Sequence, residues 1–260
     1  MALTQQQIQQ VEIVLRNSLR HKFQNYNPEP AAMPFHTRLL GKDRMALFSF
    51  IHSLNTNFGT SIFEPVAKAL ASSTFASAES QQTAGNQISS EAQRVIQNIM
   101  DSLAVATSSP NKIEEVDAIR KVCQSGEMKT VKLTKVDIKL VGHDGTIYLF
   151  DLKTAKPNAG GFKEFKRTLL EWVATTLAAN PTANVQTIIA IPYNPYEPQP
   201  YNRWTMRGML DLDHELKVAA EFWDFLGGQG AYTDLLDIFE RIGLELRPEI
   251  DAYFARYNRQ

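Results

Sequence analysis

The feature that most constrains the fold is a pair of strand-like segments in the middle of the chain, separated by a tight turn. Residues 131–141 and 146–153 are rich in β-branched and aromatic side chains, and Gly142-His143-Asp144-Gly145 lies between them. An Asp-Gly pair between two such segments indicates a β-hairpin. Residues 162–179 then repeat apolar side chains at helical spacing, and residues 185–192 form a short apolar run. This order predicts an α/β unit whose last strand pairs parallel to the second hairpin strand.

The regions on either side of this unit are predicted to be mainly helical. Residues 72–90, rich in Ser, Ala, Gln and Thr, are expected to form a loop or a weakly held helix. Three prolines at 195, 198 and 200 impose an extended segment. Helical periodicity predicts helices over residues 4–26, 44–54, 61–70 and 91–105 and from about residue 212 to the end, with Thr4 as an N-cap, a turn at 57–59 and another at 227–230.

The predicted fold class is α/β, with a mixed central β-sheet flanked by helices. We expect one domain with a helical N-terminal region (1–110), a core (111–195) and a helical C-terminal region (196–260). With 43% hydrophobic residues in 260, the chain can bury a full core. The single cysteine, Cys123, excludes an intramolecular disulfide and a Cys-rich zinc site. The sequence shows no secretory signal and no membrane-spanning run, so a cytoplasmic location is expected.

The apolar faces of the two predicted strands fix the hairpin register. Matching them pairs Val136 with Leu152, Ile138 with Phe150 and Leu140 with Tyr148. The same register places Asp137 opposite Asp151 and leaves a three-residue turn that ends at Gly145. Because side chains alternate along a strand, Asp151 and Lys153 then share the face of Asp137.

Two facing carboxylates repel each other unless a proton or a cation intervenes. Oxygen ligands suit Mg²⁺, which binds through one or two carboxylates and keeps several waters. Lys153 could hold a water near a scissile phosphate and stabilise negative charge. The alternative is that these three residues are ordinary polar side chains on the outer face of a half-exposed hairpin. An acid-x-Lys tripeptide is a weak signal by itself, because the chain contains five of them.

Asp137 followed by Phe150-Asp151-Leu152-Lys153-Thr154 resembles the PD-(D/E)xK nuclease superfamily, with Val136 where a proline is usual. The resemblance implies a restriction-endonuclease-like core in which Asp137, Asp151 and the Leu152 carbonyl bind Mg²⁺ and Lys153 assists the water. It also implies a further acid from an N-terminal helix, for which Glu64 is the candidate. A helix-surface glutamate is the alternative there.

The latter half of the chain is similar to Type II restriction endonucleases, in particular to the TdeIII-like group. The similarity is carried by Thr154-Ala-Lys-Pro-Asn158 and the lysine-rich helix after it, and by Glu221-Phe-Trp-Asp-Phe-Leu-Gly-Gly228. Such an enzyme would cut double-stranded DNA at a short palindrome, and GGNCC is the kind of G/C-rich site implied. A repair or recombination nuclease and a non-catalytic DNA-binding protein are the alternatives.

A net charge of −1 gives no global attraction for DNA, so binding requires local basic groups. Basic residues on the helix after the hairpin could instead form a solvated face, and the aromatic-rich segment 193–207 could instead be a loop packed on the core. Cutting both strands of a palindrome favours a homodimer, and a cognate DNA methyltransferase would act on the same site without needing to bind the enzyme. The candidate phosphate contacts are Lys156, Asn158, Lys163, Lys166 and Arg167; the candidate base-recognition segment is 193–207, with Asn202, Arg203 and Arg207.

Overall fold

A five-stranded mixed β-sheet forms the centre of the computed structural model, which describes residues 2–26, 33–153, 159–201 and 206–256, without the side chains of residues 54–58 and 159. The strand order is β1-β4-β5-β6-β7, and β2 pairs with β3 in a separate two-stranded sheet. The strands are β1 (Ser77–Gln82), β2 (Gln87–Ser89), β3 (Met128–Thr130), β4 (Val136–Val141), β5 (Ile147–Leu152), β6 (Val185–Ile191) and β7 (Leu216–Val218).

The predicted hairpin, helix and strand are confirmed. Strands β4 and β5 pair antiparallel, with Ile138 opposite Phe150 and Leu140 opposite Tyr148, in the predicted register. Strand β6 pairs parallel to β5, and helix α7 (Phe162–Ala179) connects the two strands. The predicted mixed α/β architecture with helical flanks is therefore correct.

Helices cover both faces of the sheet. The remaining helices are α1 (Gln5–Asn25), α2 (Pro34–Leu40), α3 (Lys42–Phe58), α4 (Glu64–Ala71), α5 (Ser90–Ala104), α6 (Lys112–Val122), α8 (Ala220–Gly227), α9 (Ala231–Glu245) and α10 (Arg247–Ala255). Helices α5 and α7 contribute most helical residues of one core, while α1, α4, α8 and α9 form the other. Thr4 is the N-cap of α1, as predicted, and Gln7 completes a capping box with it. Among the described residues, no helix is both long and apolar enough to cross a bilayer.

The sequence prediction fails at both edges of the sheet. Residues 72–90, expected to be loop or weak helix, contain β1 and β2, and β7 lies where only helices were expected. Strand β1 consists mainly of polar residues, so it lacks the apolar alternation that marks a strand in a sequence. It pairs with β4 through backbone hydrogen bonds, which do not depend on apolar side chains. The turn expected at 57–59 is also wrong, because α3 runs to Phe58 and continues through a π-helical turn, Gly59–Phe63, into α4.

Candidate active site

The hairpin turn sets the position of both aspartates. The Gly142 amide donates to the Thr146 carbonyl (2.8 Å), and Gly145 has a φ of +83°. A residue with a Cβ strains in that conformation, which glycine adopts freely. Continuing the register by one residue beyond Ile138 and Phe150 brings Asp137 to Asp151. The Leu152 amide donates to Asp137 Oδ2 (2.7 Å), which fixes this carboxylate against β5.

Asp151 is a buried carboxyl group with a perturbed pKa. Only 4% of the residue is exposed, and Lys153 Nζ lies 2.7 Å from its Oδ1. Burial raises the pKa of Asp151 to about 6, the charge of Lys153 opposes the rise, and the nearby Asp137 carboxylate adds to it. A carboxyl group with such a pKa, beside a second carboxylate, favours a cation as its partner.

Lys153 lies at the mouth of this site. Its side chain is 27% exposed, and its Nζ is 4.7 Å from the centre of the Phe165 ring on α7. The Lys153 amide donates to the Ala190 carbonyl (2.9 Å), which extends the β5–β6 pairing past the last strand residue. The ammonium is therefore held between a buried carboxylate and an aromatic face, with one side open to solvent.

Glu64 is the first residue of α4 and is 3% exposed. Gln81 connects it to the aspartates, because Gln81 Nε2 donates to Glu64 Oε2 (2.8 Å) and to Asp137 Oδ1 (3.2 Å). Burial raises the pKa of Glu64, and the Asp137 charge adds to the rise, while the Gln81 hydrogen bond lowers it. The structure thus brings the candidate acid from the N-terminal helix into the same site, where a helix-surface glutamate would have been exposed.

Sequence reasoning missed Gln81. Ser80 pairs with Ile138 and Gln82 with Val136, and Gln81 between them has a φ of +56°. This left-handed conformation is uncommon for a residue other than glycine and occurs disproportionately at functional sites. No local sequence pattern indicates the role of Gln81, because residues 72–90 were expected to form a loop or a weakly held helix, which gave no reason to place residue 81 beside Asp137.

The donor set of this site has the chemistry that a magnesium ion requires. Asp137 and Asp151 supply two carboxylates, and the Leu152 carbonyl belongs to the strand residue between Asp151 and Lys153. Among the described residues, no group of three or more His, Cys, Asp or Glu side chains is arranged around a common metal position. Magnesium does not require one, since it commonly binds through one or two carboxylates, waters and substrate phosphate. The residues present therefore fit a hydrated magnesium ion.

The predicted basic stripe on α7 needs one correction. Lys166 is fully buried, and its Nζ lies 2.5 Å from Glu115 Oε2 and 2.7 Å from Glu215 Oε2. It cannot face phosphates, because both carboxylates hold it inside the core. Lys163 is exposed, and Arg167 is half-buried, with its Nη2 donating to Gln97 (2.8 Å).

The remaining candidate DNA contacts divide between described and undescribed residues. Arg207 is exposed and lines a cavity of about 720 Å³ with Asn194, Tyr201, Glu221 and others. Val218 and Ala219, at the end of β7, line the same cavity. Lys156, Asn158, Asn202 and Arg203 lie outside the described residues, so their predicted role stays a prediction.

Comparison with known proteins gives a consistent result over nearly the whole chain. The family model described as "Type II restriction endonuclease, HinfI" matches residues 3–243. The Type II restriction enzyme HgiBI of Herpetosiphon aurantiacus is 28% identical over 255 residues, which cover 93% of this chain and 90% of the relative. HgiEI of the same organism is 28% identical over 222 residues, covering 84% and 79%. The Type II restriction enzyme MjaII of Methanocaldococcus jannaschii is 25% identical over 288 residues, covering 99% and 75%. The finer similarity to the TdeIII-like group stays a prediction. Because the family model covers far more than half of it, the chain belongs to the HinfI family of Type II restriction endonucleases.

Proposed function

We propose that the protein hydrolyses phosphodiester bonds in both strands of a short palindromic DNA sequence and requires magnesium to do so. Its family makes the chain a nuclease. The metal, the palindrome and the roles of individual residues are the proposal. The observation that carries it is the meeting of Asp137, Asp151 and Lys153 at the end of β5, with Glu64 joined to them through Gln81.

Asp137 and Asp151 would hold the metal, together with the Leu152 carbonyl. When bound, magnesium would polarise the scissile phosphate and favour ionisation of a bound water. Burial, with a smaller contribution from the Asp137 charge, raises the pKa of Asp151, and a bound cation would offset both effects, so the site would favour a cation before DNA arrives. Asp137 is already oriented by the Leu152 amide and by Gln81, so little rearrangement is needed.

Lys153 would orient the attacking water and stabilise negative charge as it develops on the phosphate. Its ammonium is positioned by Asp151 and Phe165 and remains open to solvent on one side, where a phosphate could approach. Attack by the water breaks the P–O3′ bond and leaves 5′-phosphate and 3′-hydroxyl ends. Glu64 would act on Asp137 through Gln81, which donates a hydrogen bond to both carboxylates.

DNA would lie along the edge of the sheet where the parallel strands end. Strands β5, β6 and β7 are parallel, so Leu152, Ile191 and Val218 end at the same edge. The exposed Lys163 lies in the first turn of α7, which begins at this edge, and Arg207 lines the cavity beside Val218. These two cations would contact phosphates or bases, together with Lys156, Asn158, Asn202 and Arg203 from the undescribed segments.

Cleavage of both strands of a palindrome is most simply achieved by a two-fold symmetric dimer, in which each protomer supplies one active site. We therefore include a homodimer in the proposal. A cognate methyltransferase that modifies the same site would protect the host DNA, with no need for the two proteins to bind each other.

The proposal is tested by incubating plasmid DNA with the protein and magnesium and sequencing the fragment ends. Discrete fragments that share one palindrome are expected, whereas a smear would contradict sequence specificity. Lys153→Ala should lose at least about 100-fold in cleavage rate, in line with the loss of a charge-stabilising donor. Lys129→Ala is the matched control, because Lys129 ends the acid-x-Lys tripeptide Glu127-Met128-Lys129 and is exposed on strand β3. Equal activity of Lys153→Ala and the control would refute the assigned site.

A further inference from the structure

The surface formed by α2 and α3 carries an unusual amount of exposed apolar side chain. None of the seven residues of α2 is buried, although the helix contains Phe35 and Leu39, which are 83% and 82% exposed. On α3, Leu47, Phe48 and Ile51 are 44%, 53% and 47% exposed. We call these five residues, with Leu40 at 43%, the α2–α3 patch.

The spacing of these residues makes the patch continuous along each helix. Phe35 and Leu39 are four residues apart, and Leu47, Phe48 and Ile51 recur at three- and four-residue intervals, so each set forms one stripe. Helix α2 packs against α3. The two stripes therefore belong to one helical pair.

The opposite face of α3 fixes this pair to the body of the protein. Met45, Ala46 and Phe50 are buried there. Phe50 packs against Phe23 of α1 and Phe254 of α10, with ring centroids 5.5 and 5.2 Å apart. One apolar face of α3 is therefore buried, while the second face, formed by Leu47, Phe48 and Ile51, is left exposed by the residues that the structure describes.

The area suits a protein interface. If a large apolar residue has roughly 200 Å² of surface, the exposed fractions in the α2–α3 patch amount to roughly 700 Å². Apolar patches on monomeric proteins rarely exceed about 300–600 Å², and a standard interface buries about 800 Å² on each partner. The patch alone would supply most of one side of a stable dimer interface.

We propose that the α2–α3 patch is the surface through which two copies of this chain dimerise. An apolar surface is complementary to itself, so it satisfies a two-fold interface, in which the same patch contributes from both protomers. DNA is a poor occupant, since protein surfaces that contact DNA are polar and positively charged. The choice of a second copy as occupant rests on the proposed function, which needs two active sites for the two strands.

The patch is also connected to the active site. Helix α3 runs through the π-helical turn Gly59–Phe63 directly into α4, whose first residue is Glu64. Contact between two α3 helices would therefore orient the two active sites relative to each other through a continuous helical segment.

The test compares the full-length protein with Phe35→Glu/Leu39→Glu by sedimentation velocity at micromolar concentration. The wild-type protein should sediment as a dimer of 29.3 kDa chains and the variant as a monomer. Since α2 contains no buried residue, the variant should keep the wild-type circular dichroism spectrum and melting temperature to within a few degrees. Ile113→Glu/Leu244→Glu is the matched control, because these side chains are 59% and 61% exposed on other helices and should leave the dimer intact.

Plasmid cleavage separates this inference from the proposed function. A monomeric variant should lose direct linearisation, and nicked plasmid should accumulate instead. A wild-type monomer, or a dimer that survives the α2 substitutions, overturns the assigned surface even if the enzyme cuts DNA. A dimer that the α2 substitutions dissociate, from an enzyme that cuts no DNA, supports the surface and contradicts the proposed function.

Discussion

Replacing Asp151 with asparagine should stabilise the metal-free protein at neutral pH. Burial disfavours the charged form of Asp151 in the folded protein, so the folded carboxyl group keeps its proton up to about pH 6. In the unfolded chain the same carboxyl group loses its proton near the ordinary aspartate pKa of 3.8. Because the folded protein binds this proton more tightly than the unfolded chain, the stabilisation it contributes is fully present below about pH 3.8 and is lost as the pH rises to about 6.

The magnitude follows from the same pKa values. A rise from 3.8 to about 6 in the pKa of Asp151 corresponds to about 3 kcal/mol, at about 1.4 kcal/mol per pKa unit. Asparagine has no charge to bury, so Asp151→Asn should not show this decline. The free energy of unfolding of the wild-type protein, relative to the variant, should therefore fall by about 2 kcal/mol between pH 4 and pH 7, since part of the full change already occurs below pH 4.

Urea denaturation in EDTA, followed by tryptophan fluorescence at several pH values, measures this difference. Trp172 and Trp223 are buried and should report loss of the core. Asp117→Asn, at an exposed position on α6, is the matched control and should follow the wild-type curve. Parallel pH curves for the wild type and Asp151→Asn would refute the assigned burial cost. Adding magnesium at pH 7.5 should then stabilise the wild type but not the Asp151 variant, because a ligand that binds only the folded state raises its stability.

Three further substitutions test other parts of the structure. Gln81→Ala removes the donor shared by two site carboxylates and should lower the cleavage rate about 10–100-fold in a single-turnover assay, as losses of supporting contacts around metal sites do. Lys166→Met leaves two buried carboxylates without their shared partner and should cost about 3–5 kcal/mol in urea denaturation, whereas Lys163→Met at an exposed position should be nearly neutral. Gly145→Ala, at a φ of +83°, should destabilise by about 1 kcal/mol, whereas Gly243→Ala inside α9, where a Cβ meets nothing within 4 Å, should stabilise by about 0.5–1 kcal/mol; calorimetric melting separates the two signs.

The sequence predicted the hairpin well because the relevant signals are local. Alternating apolar residues fix the faces of β4 and β5, and the turn at Gly145 fixes their register. Those two constraints are sufficient to bring Asp137 to Asp151 without knowledge of the rest of the fold. The parallel strand β6 was equally accessible, since a helix between two strands leads to a parallel pair.

The parts that could not be predicted depend on contacts between distant residues. Strand β1 has a polar sequence with no periodic signal, and its place in the sheet depends on backbone pairing with β4. The position of Gln81 beside Asp137 follows from that pairing and could not be predicted without it. Lys166 appeared to belong to a basic stripe because its partners Glu115 and Glu215 lie 51 and 49 residues away in sequence. A local pattern shows a lysine on a helix, but it does not show which carboxylates the fold brings to it.

Two lysine–carboxylate clusters among the described residues differ in charge balance, and that difference supports the proposed metal site at the second of them. In the core, Lys112 and Lys166 are paired with Glu115 and Glu215, so the charges cancel without another ion. Near the end of β5, three carboxylates are linked to one lysine: Lys153 pairs with Asp151, Asp137 lies beside Asp151, and Gln81 joins Asp137 to Glu64. When all three are ionised, an excess of two negative charges remains, which is the charge of one divalent cation. Both clusters contain buried acids beside lysine, but the second has an excess negative charge that the proposed magnesium ion would neutralise, at the edge of the sheet along which we propose that DNA lies.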